Sequence, residues 1–206
     1  MSSAEQQPTT AEGAAGRGTG RLKEDRLSRE DWLETGMALL GKVGPGGIRI
    51  ARLCDAMGAS KGSFYWHFTG REDLLQGLFD YWRQRETSAL IARAEADSTR
   101  PEDRIWYVVR FVTLGGYDVG CEVAMRQWGQ GDPSVHRALE QVDGERLDFF
   151  TRQFAATGFS AAEARLRAIS TYSLTLSCGY MLTGEDPAAL EARLRESLRL
   201  LLLPVA

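Results

Sequence analysis

From residue 28 onward, large apolar residues recur three and four positions apart, the spacing that stacks them on one side of an α-helix. Trp32, Leu33, Met37, Leu39 and Leu40 make the first such stripe. Ser28 precedes it, with Asp31 three residues on, a capping box with Asp in place of the usual Glu or Gln. The run "GKVGPGG" (41–47) is a stop. A second, shorter stripe in "RIARLCDAMG" sets Ile50, Leu53, Cys54 and Met57 on one face, and Gly58 suits the left-handed position that closes a helix. Ser60 suits the N-cap of a third helix beginning at Lys61. "TGREDLLQGLFDYWRQRETSALIARAEA" predicts one long amphipathic fourth helix, running from Arg71 to Ala96. Further on, Pro101, Pro133 and Pro187 fit first helical turns, and Asp132 and Asp186 stand as N-caps before two of them. No strand-like alternation is visible, so the pattern predicts an all-α chain.

Composition marks off the beginning. Residues 1–20 contain no large apolar residue after Met1, which predicts a disordered tail. Residues 21–72 then read as a three-helix helix-turn-helix domain, and 73–206 as a larger helical domain, with the helix 71–96 connecting the two. No apolar run approaches the roughly 20 residues of a membrane span. Three widely spaced cysteines, Cys54, Cys121 and Cys178, fit reduced thiols. Both point to the cytoplasm, with no membrane partner.

The net charge of −3 is unevenly spread. Residues 42–71 carry Lys42, Arg49, Arg52, Lys61 and Arg71 against Asp55 alone. Within this basic stretch lies "SKGSFYWHF" (60–68), too aromatic for one short helix to bury. Phe64 and Phe68 share a face and are the natural core pair. Lys61, Gly62 and Ser63 occupy an exposed N-terminal turn, the part of such a helix that enters a DNA major groove. Gly62 lets the backbone approach closely, while Lys61 and Ser63 can reach phosphates or base edges. Tyr65, Trp66 and His67 each carry a hydrogen-bond donor on a rigid ring, suited to the sugar-phosphate backbone. For Trp66, packing against the fourth helix is the competing reading. Arg17, Arg21, Lys23 and Arg26 read as a soluble basic tail, with a minor-groove arm as the alternative.

At "MGASKGSFYWHFTGREDLL", with "IRIARLCDAMG" before it, the sequence closely resembles the TetR family of bacterial transcriptional regulators. The resemblance is strong over about residues 28–85; beyond that only length and helical pattern agree. Arg71 stands where the family usually places Lys, and Arg49, which can reach phosphate but cannot cap, where it often has Thr. The resemblance implies that Arg49, Ser60, Lys61, Gly62, Ser63, Tyr65, Trp66, His67 and Arg71 contact double-stranded DNA at a palindromic operator. It also implies a C-terminal ligand-binding and dimerisation domain.

That half is rich in aromatic residues. Trp106, Tyr107, Phe111, Met125, Trp128, Phe150 and Tyr172 are the candidate lining of a mostly apolar effector cavity. Arg110 either turns inward toward an anionic ligand or reaches the surface. Glu122 and Arg126 read as an ordinary helix-supporting pair. Ser170, Ser173, Ser177 and Cys178 make a small-residue face, and Leu190, Leu194, Leu198 and Leu201 a narrow seam. These can pair within the chain or, in two copies, form a four-helix homodimer interface, which the resemblance favours.

Enzyme chemistry finds no foothold: the two histidines, His67 and His136, belong to no metal or nucleophile motif, and no HExxH, G-x-S-x-G or Walker loop occurs. The expectation is a ligand-released repressor with no catalytic residue, no metal and no cofactor.

Overall fold

The computed structural model describes residues 27–181 and 184–204, and every regular element among them is helical. The tail and Arg17, Arg21, Lys23 and Arg26 lie outside the described residues. Helix α1 (Arg29–Gly47) opens on the capping box: the Asp31 amide donates to Ser28 Oγ at 3.2 Å, and the Ser28 amide donates to the Asp31 carboxylate at 2.7 Å. Gly44, at φ 64°, breaks the helical path within the anticipated stop. Helix α2 (Ile50–Met57) ends on Gly58 at φ 63°, ψ 35°, a left-handed conformation that glycine adopts without steric cost. Helix α3 spans Lys61–His67 and α4 spans Arg71–Arg83.

The long fourth helix is not continuous. A π-helical turn, Gln84–Ser88, separates α4 from α5 (Ala89–Asp97). It carries Glu86 and Thr87 into the interior, 3% and 1% exposed, although "QRETS" reads in the sequence as a solvated face. Helices α6 (Pro101–Thr113), α7 (Val119–Gly131), α8 (Pro133–Ala156), α9 (Ala161–Met181) and α10 (Pro187–Leu201) follow. The Asp132 and Asp186 side chains cap α8 and α10, each with a proline in the first turn.

Two hydrophobic cores organise these helices. One joins α1–α4 to Cys121, Ala124 and Met125 of α7 and to the front of α8. The other joins α5, α6, the rear of α8, α9 and α10. Helix α7 thus packs on the helix-turn-helix side, against α1. Glycines set how closely: a Cβ on Gly120 would stand 3.2 Å from the Gly41 carbonyl oxygen.

The leucine seam faces inward. Leu190, Leu194 and Leu198 are buried in the chain's own second core and Leu201 is half-buried, so Leu194 and Leu198 are not free to face a partner. The outward apolar face belongs to α9: Leu166 is 66% exposed, Ile169 43% and Met181 77%, with Ser170 and Ser173 exposed between them. Ser177, expected on that face, is half-buried and donates to the Leu174 carbonyl at 3.1 Å.

Candidate functional site

Helix α3 is seven residues long, too short to hold itself together in water, so its order comes from its ends and one buried ring. Ser60 Oγ accepts from the Ser63 amide at 3.2 Å, and the Phe68 amide donates to the Phe64 carbonyl at 3.1 Å. Phe64 is wholly buried, edge-on to Trp32 at 5.6 Å between centroids and stacked on Phe68 at 5.3 Å. With that face spent, Lys61 and Gly62 project to solvent and Ser63 is half-exposed. A Cβ on Gly62 would meet only Ser60 Oγ, at 3.5 Å, so the backbone there lies open to a large partner.

Tyr65 is 56% exposed and Trp66 88% exposed. The competing reading of Trp66 as packing against the fourth helix therefore fails. His67 is half-buried, its ring 6.5 Å from Trp32. Arg49 is exposed and precedes α2 with no side-chain cap. Arg71 departs from expectation: its Nε donates to the Ile48 carbonyl at 2.8 Å and its Nη2 to the Pro45 carbonyl at 2.6 Å. Much of its donor capacity thus fixes the α1–α2 loop.

The expected effector-site residues divide among three places. Met125 is fully buried in the first core and Trp128 packs there edge-on to Phe79 at 6.4 Å, so neither reaches a cavity. Trp106, Tyr107, Arg110 and Phe111 line an open polar groove of about 610 Å³ with Asp97, Asp103, Glu191 and Arg195. There Arg110 is exposed, settling its alternatives for the surface, and Arg195 lies over the Trp106 ring at 4.1 Å. Only Phe150 and Tyr172 line the enclosed cavity, beside Leu90, Val108, Phe149 and Arg146. Its water-accessible space is about 30 Å³, room for roughly two water molecules.

One end of this cavity is a polar network. Arg146 donates from Nε to Thr87 Oγ1 at 2.9 Å, from Nη1 to Glu122 Oε2 at 3.2 Å and Tyr172 Oη at 3.3 Å, and from Nη2 to Tyr117 Oη at 3.1 Å. Tyr117 donates to Glu122, and Tyr172 donates to Asp143 at 2.6 Å. Arg126 grips Asp143 through two bonds of 2.6 Å each and donates to Glu122 at 2.8 Å. Glu122 and Arg126 are therefore part of an interior cluster, not a surface helix pair. Burial alone would raise the Glu122 pKa, but the charges of Arg146 and Arg126 outweigh it and hold the carboxyl below its ordinary value. Burial pushes Tyr172 up to about 12. Glu86, whose Oε2 is buried without a hydrogen-bond partner, is raised chiefly by burial, against the charge of Arg85.

Sequence reasoning missed Arg146, Tyr117, Asp143 and Thr87. A signal existed: Arg146 falls at helical spacing between Val142 and the pair Phe149–Phe150, an arginine on an apolar stripe.

Burial also takes the remaining chemistry out of play. Cys121 is buried, its thiol pushed up to about 12 chiefly by burial, so it is a poor nucleophile. No group of His, Cys, Asp and Glu among the described residues has metal-binding geometry. No described helix is long and apolar enough to cross a membrane.

Residues 33–78 match the family model described as bacterial regulatory proteins, tetR family. The tetracycline repressor protein class C of Escherichia coli is 27% identical over 157 residues; the match covers 73% of this chain and spans 64% of the repressor's own length. Among solved structures, a TetR-family transcriptional regulator from Streptomyces coelicolor superposes with a TM-score of 0.67 at 19% identity, covering 84% of this chain and 93% of its own. The structure of AibR in complex with isovaleryl coenzyme A and operator DNA superposes at 0.64 and 16% identity, covering 86% of this chain and 98% of its own. On the matched helix-turn-helix and the shared fold together, the chain belongs to the TetR family of bacterial regulatory proteins.

Proposed function

We propose that this chain is a ligand-responsive transcriptional regulator, a repressor that grips a palindromic operator as a homodimer and is released by a small, mostly apolar molecule. The observation that carries the reading is the outer side of α3. Its first turn offers Lys61, Gly62 and Ser63, and Tyr65 and Trp66 stand out from it unburied. Short polar groups beside exposed rings on a rigidly docked helix suit a major groove flanked by phosphates. In this reading Lys61, Tyr65, His67 and Arg49 hold the backbone, while Gly62 and Ser63 lie nearest the base edges. Arg71, given its bonds to Pro45 and Ile48, chiefly positions the loop before α2.

Two such heads must sit about 34 Å apart to enter successive major grooves, which requires a dimer. The exposed face of α9 around Ile169, Ser170 and Ser173 is the surface we assign to it. The enclosed cavity bounded by Phe150, Tyr172 and Arg146 is the effector site, small as described and opened by the ligand that fits it. Helix α7 supplies the mechanical link: it carries Glu122 into the cavity network and packs its other side against α1. A ligand that shifts this network by about 1.4 kcal/mol between two arrangements changes operator affinity tenfold.

The test is titration of the DNA flanking the chain's own gene, followed by fluorescence anisotropy over a range of salt. A specific site with dyad symmetry, bound by two chains, is expected. Binding no tighter to any flanking fragment than to random duplex would overturn the reading.

A further inference from the structure

The cavity's charge balance bears on what can enter it. Arg146, buried beside the cavity, already faces Glu122, and Arg126 already faces both Glu122 and Asp143. Glu86 adds a further buried carboxyl close enough to Arg146 to feel its charge. A ligand carboxylate would therefore join three carboxyl groups served by two interior arginines, and like charges sharing a low-dielectric site oppose ionisation. A ligand cation would face Arg146 itself.

Hydrogen-bond capacity points to a different ligand. Arg146 has five N–H donors, of which four have acceptors in Thr87, Glu122, Tyr172 and Tyr117. The remaining Nη2 proton has no acceptor among the described residues. Tyr172 is saturated, donating to Asp143 and accepting from both arginines. Tyr117 donates its proton to Glu122. Apart from Thr175, whose hydroxyl donates to the Thr171 carbonyl, the other cavity residues are hydrocarbon.

Resting on the reading of this cavity as the effector site, we propose that the effector is an uncharged apolar molecule bearing a hydrogen-bond acceptor, such as an ester or ketone oxygen, that takes the spare Nη2 proton of Arg146. Ionised acids and amines of the same skeleton are excluded by the charges already in place.

Four probes on one skeleton test this by calorimetry on the full-length protein: methyl phenylbutyrate, phenylbutyrate, phenylbutylamine and butylbenzene. The ester is expected to bind about tenfold tighter than butylbenzene, the gain of one bond to a charged donor. The acid is expected to bind at least a hundredfold more weakly than the ester at pH 8. Its affinity should rise about tenfold per unit as pH falls toward 6, because only the neutral form enters and its carboxyl ionises near 4 to 5. The ester should show no such slope. In Glu122→Gln, which leaves Arg146 unbalanced, the acid should gain at least tenfold on the ester.

Acid or amine binding at pH 8 as tight as the ester overturns the proposal while leaving the effector cavity standing. So does parity of ester and butylbenzene, or a folded Glu122→Gln protein in which the acid gains nothing. If that variant does not fold, the pH series on the unaltered protein decides. Should none of the four bind, the cavity reading fails and the proposal falls with it.

Discussion

Removing the Phe64 ring is the sharpest way to ask whether α3 is held from beneath. Phe64 is the single wholly buried side chain of this seven-residue helix. It touches Trp32 edge-on at 5.6 Å and Phe68 face-on at 5.3 Å. Truncating a fully buried Phe to Ala costs about 3 to 5 kcal/mol, and the two aromatic pairings place this site toward the upper end. At about 2 to 4 °C per kcal/mol for a chain of this size, Phe64→Ala should lower the melting temperature by about 6 to 20 °C. The loss should appear first where the ring worked. The Phe68 amide, bonded to the Phe64 carbonyl at 3.1 Å, should exchange its hydrogen about 100-fold faster or more, as 3 kcal/mol is over two powers of ten. Phe64→Leu, which keeps much of the volume, should recover most of both effects. Melting within 2 °C of the parent together with unchanged exchange at Phe68 would refute the idea that this ring anchors the helix.

Three further tests address the other assignments. Lys61→Ala should weaken operator and random duplex alike and lower the slope of log affinity against log salt by about 1, measured by anisotropy; an unchanged slope removes Lys61 from the phosphate contacts. Ile169→Glu should convert the dimer to a monomer in sedimentation at micromolar concentration, because it buries a charge on the α9 face; an intact dimer moves the interface elsewhere. For Glu86, burial raises the pKa above 4.5, so the folded chain keeps a proton that the unfolded chain has released. Stability from this group therefore falls as pH rises from about 4.5 through the raised value. Glu86→Gln should accordingly melt above the parent at neutral pH, with the gap closing in acid; a gap independent of pH rejects the assignment.

Local rules carried the reading far in the DNA-binding half and less far beyond it. The capping box at Ser28, the left-handed Gly58, the Ser60 cap and the core pair Phe64 and Phe68 depend on residues within four positions of one another, so sequence spacing predicts them. The effector cavity depends on packing between helices distant in sequence. Arg146 reaches Thr87, 59 residues earlier, and Tyr172, 26 later, and no periodicity encodes such meetings. Aromatic richness alone drew together Trp106, Trp128 and Phe150, which the fold sends to a groove, a core and a cavity. The seam of Leu190, Leu194 and Leu198 was read correctly as an apolar stripe. A stripe does not say whose surface it meets, and here it meets its own chain.

The π-helical turn at Gln84–Ser88 has a consequence for how this chain tolerates changes in length. A turn of i→i+5 bonds accommodates about one residue more than an α-turn, and each residue of an α-helix advances the side chains by about 100°. Deleting a single residue from this turn would allow an unbroken α-helix to form from Arg71 to Asp97. It would also rotate everything beyond the deletion by about that angle relative to the DNA-binding helices. Leu90 and Ala94 would leave the second core, and exposed neighbours such as Arg93 would swing toward it. The extra residue thus acts as a register key between the two halves of the chain. Relatives with an uninterrupted helix here should align only with a one-residue gap, and a chimera joined across it without that gap should fold with one half facing the wrong way.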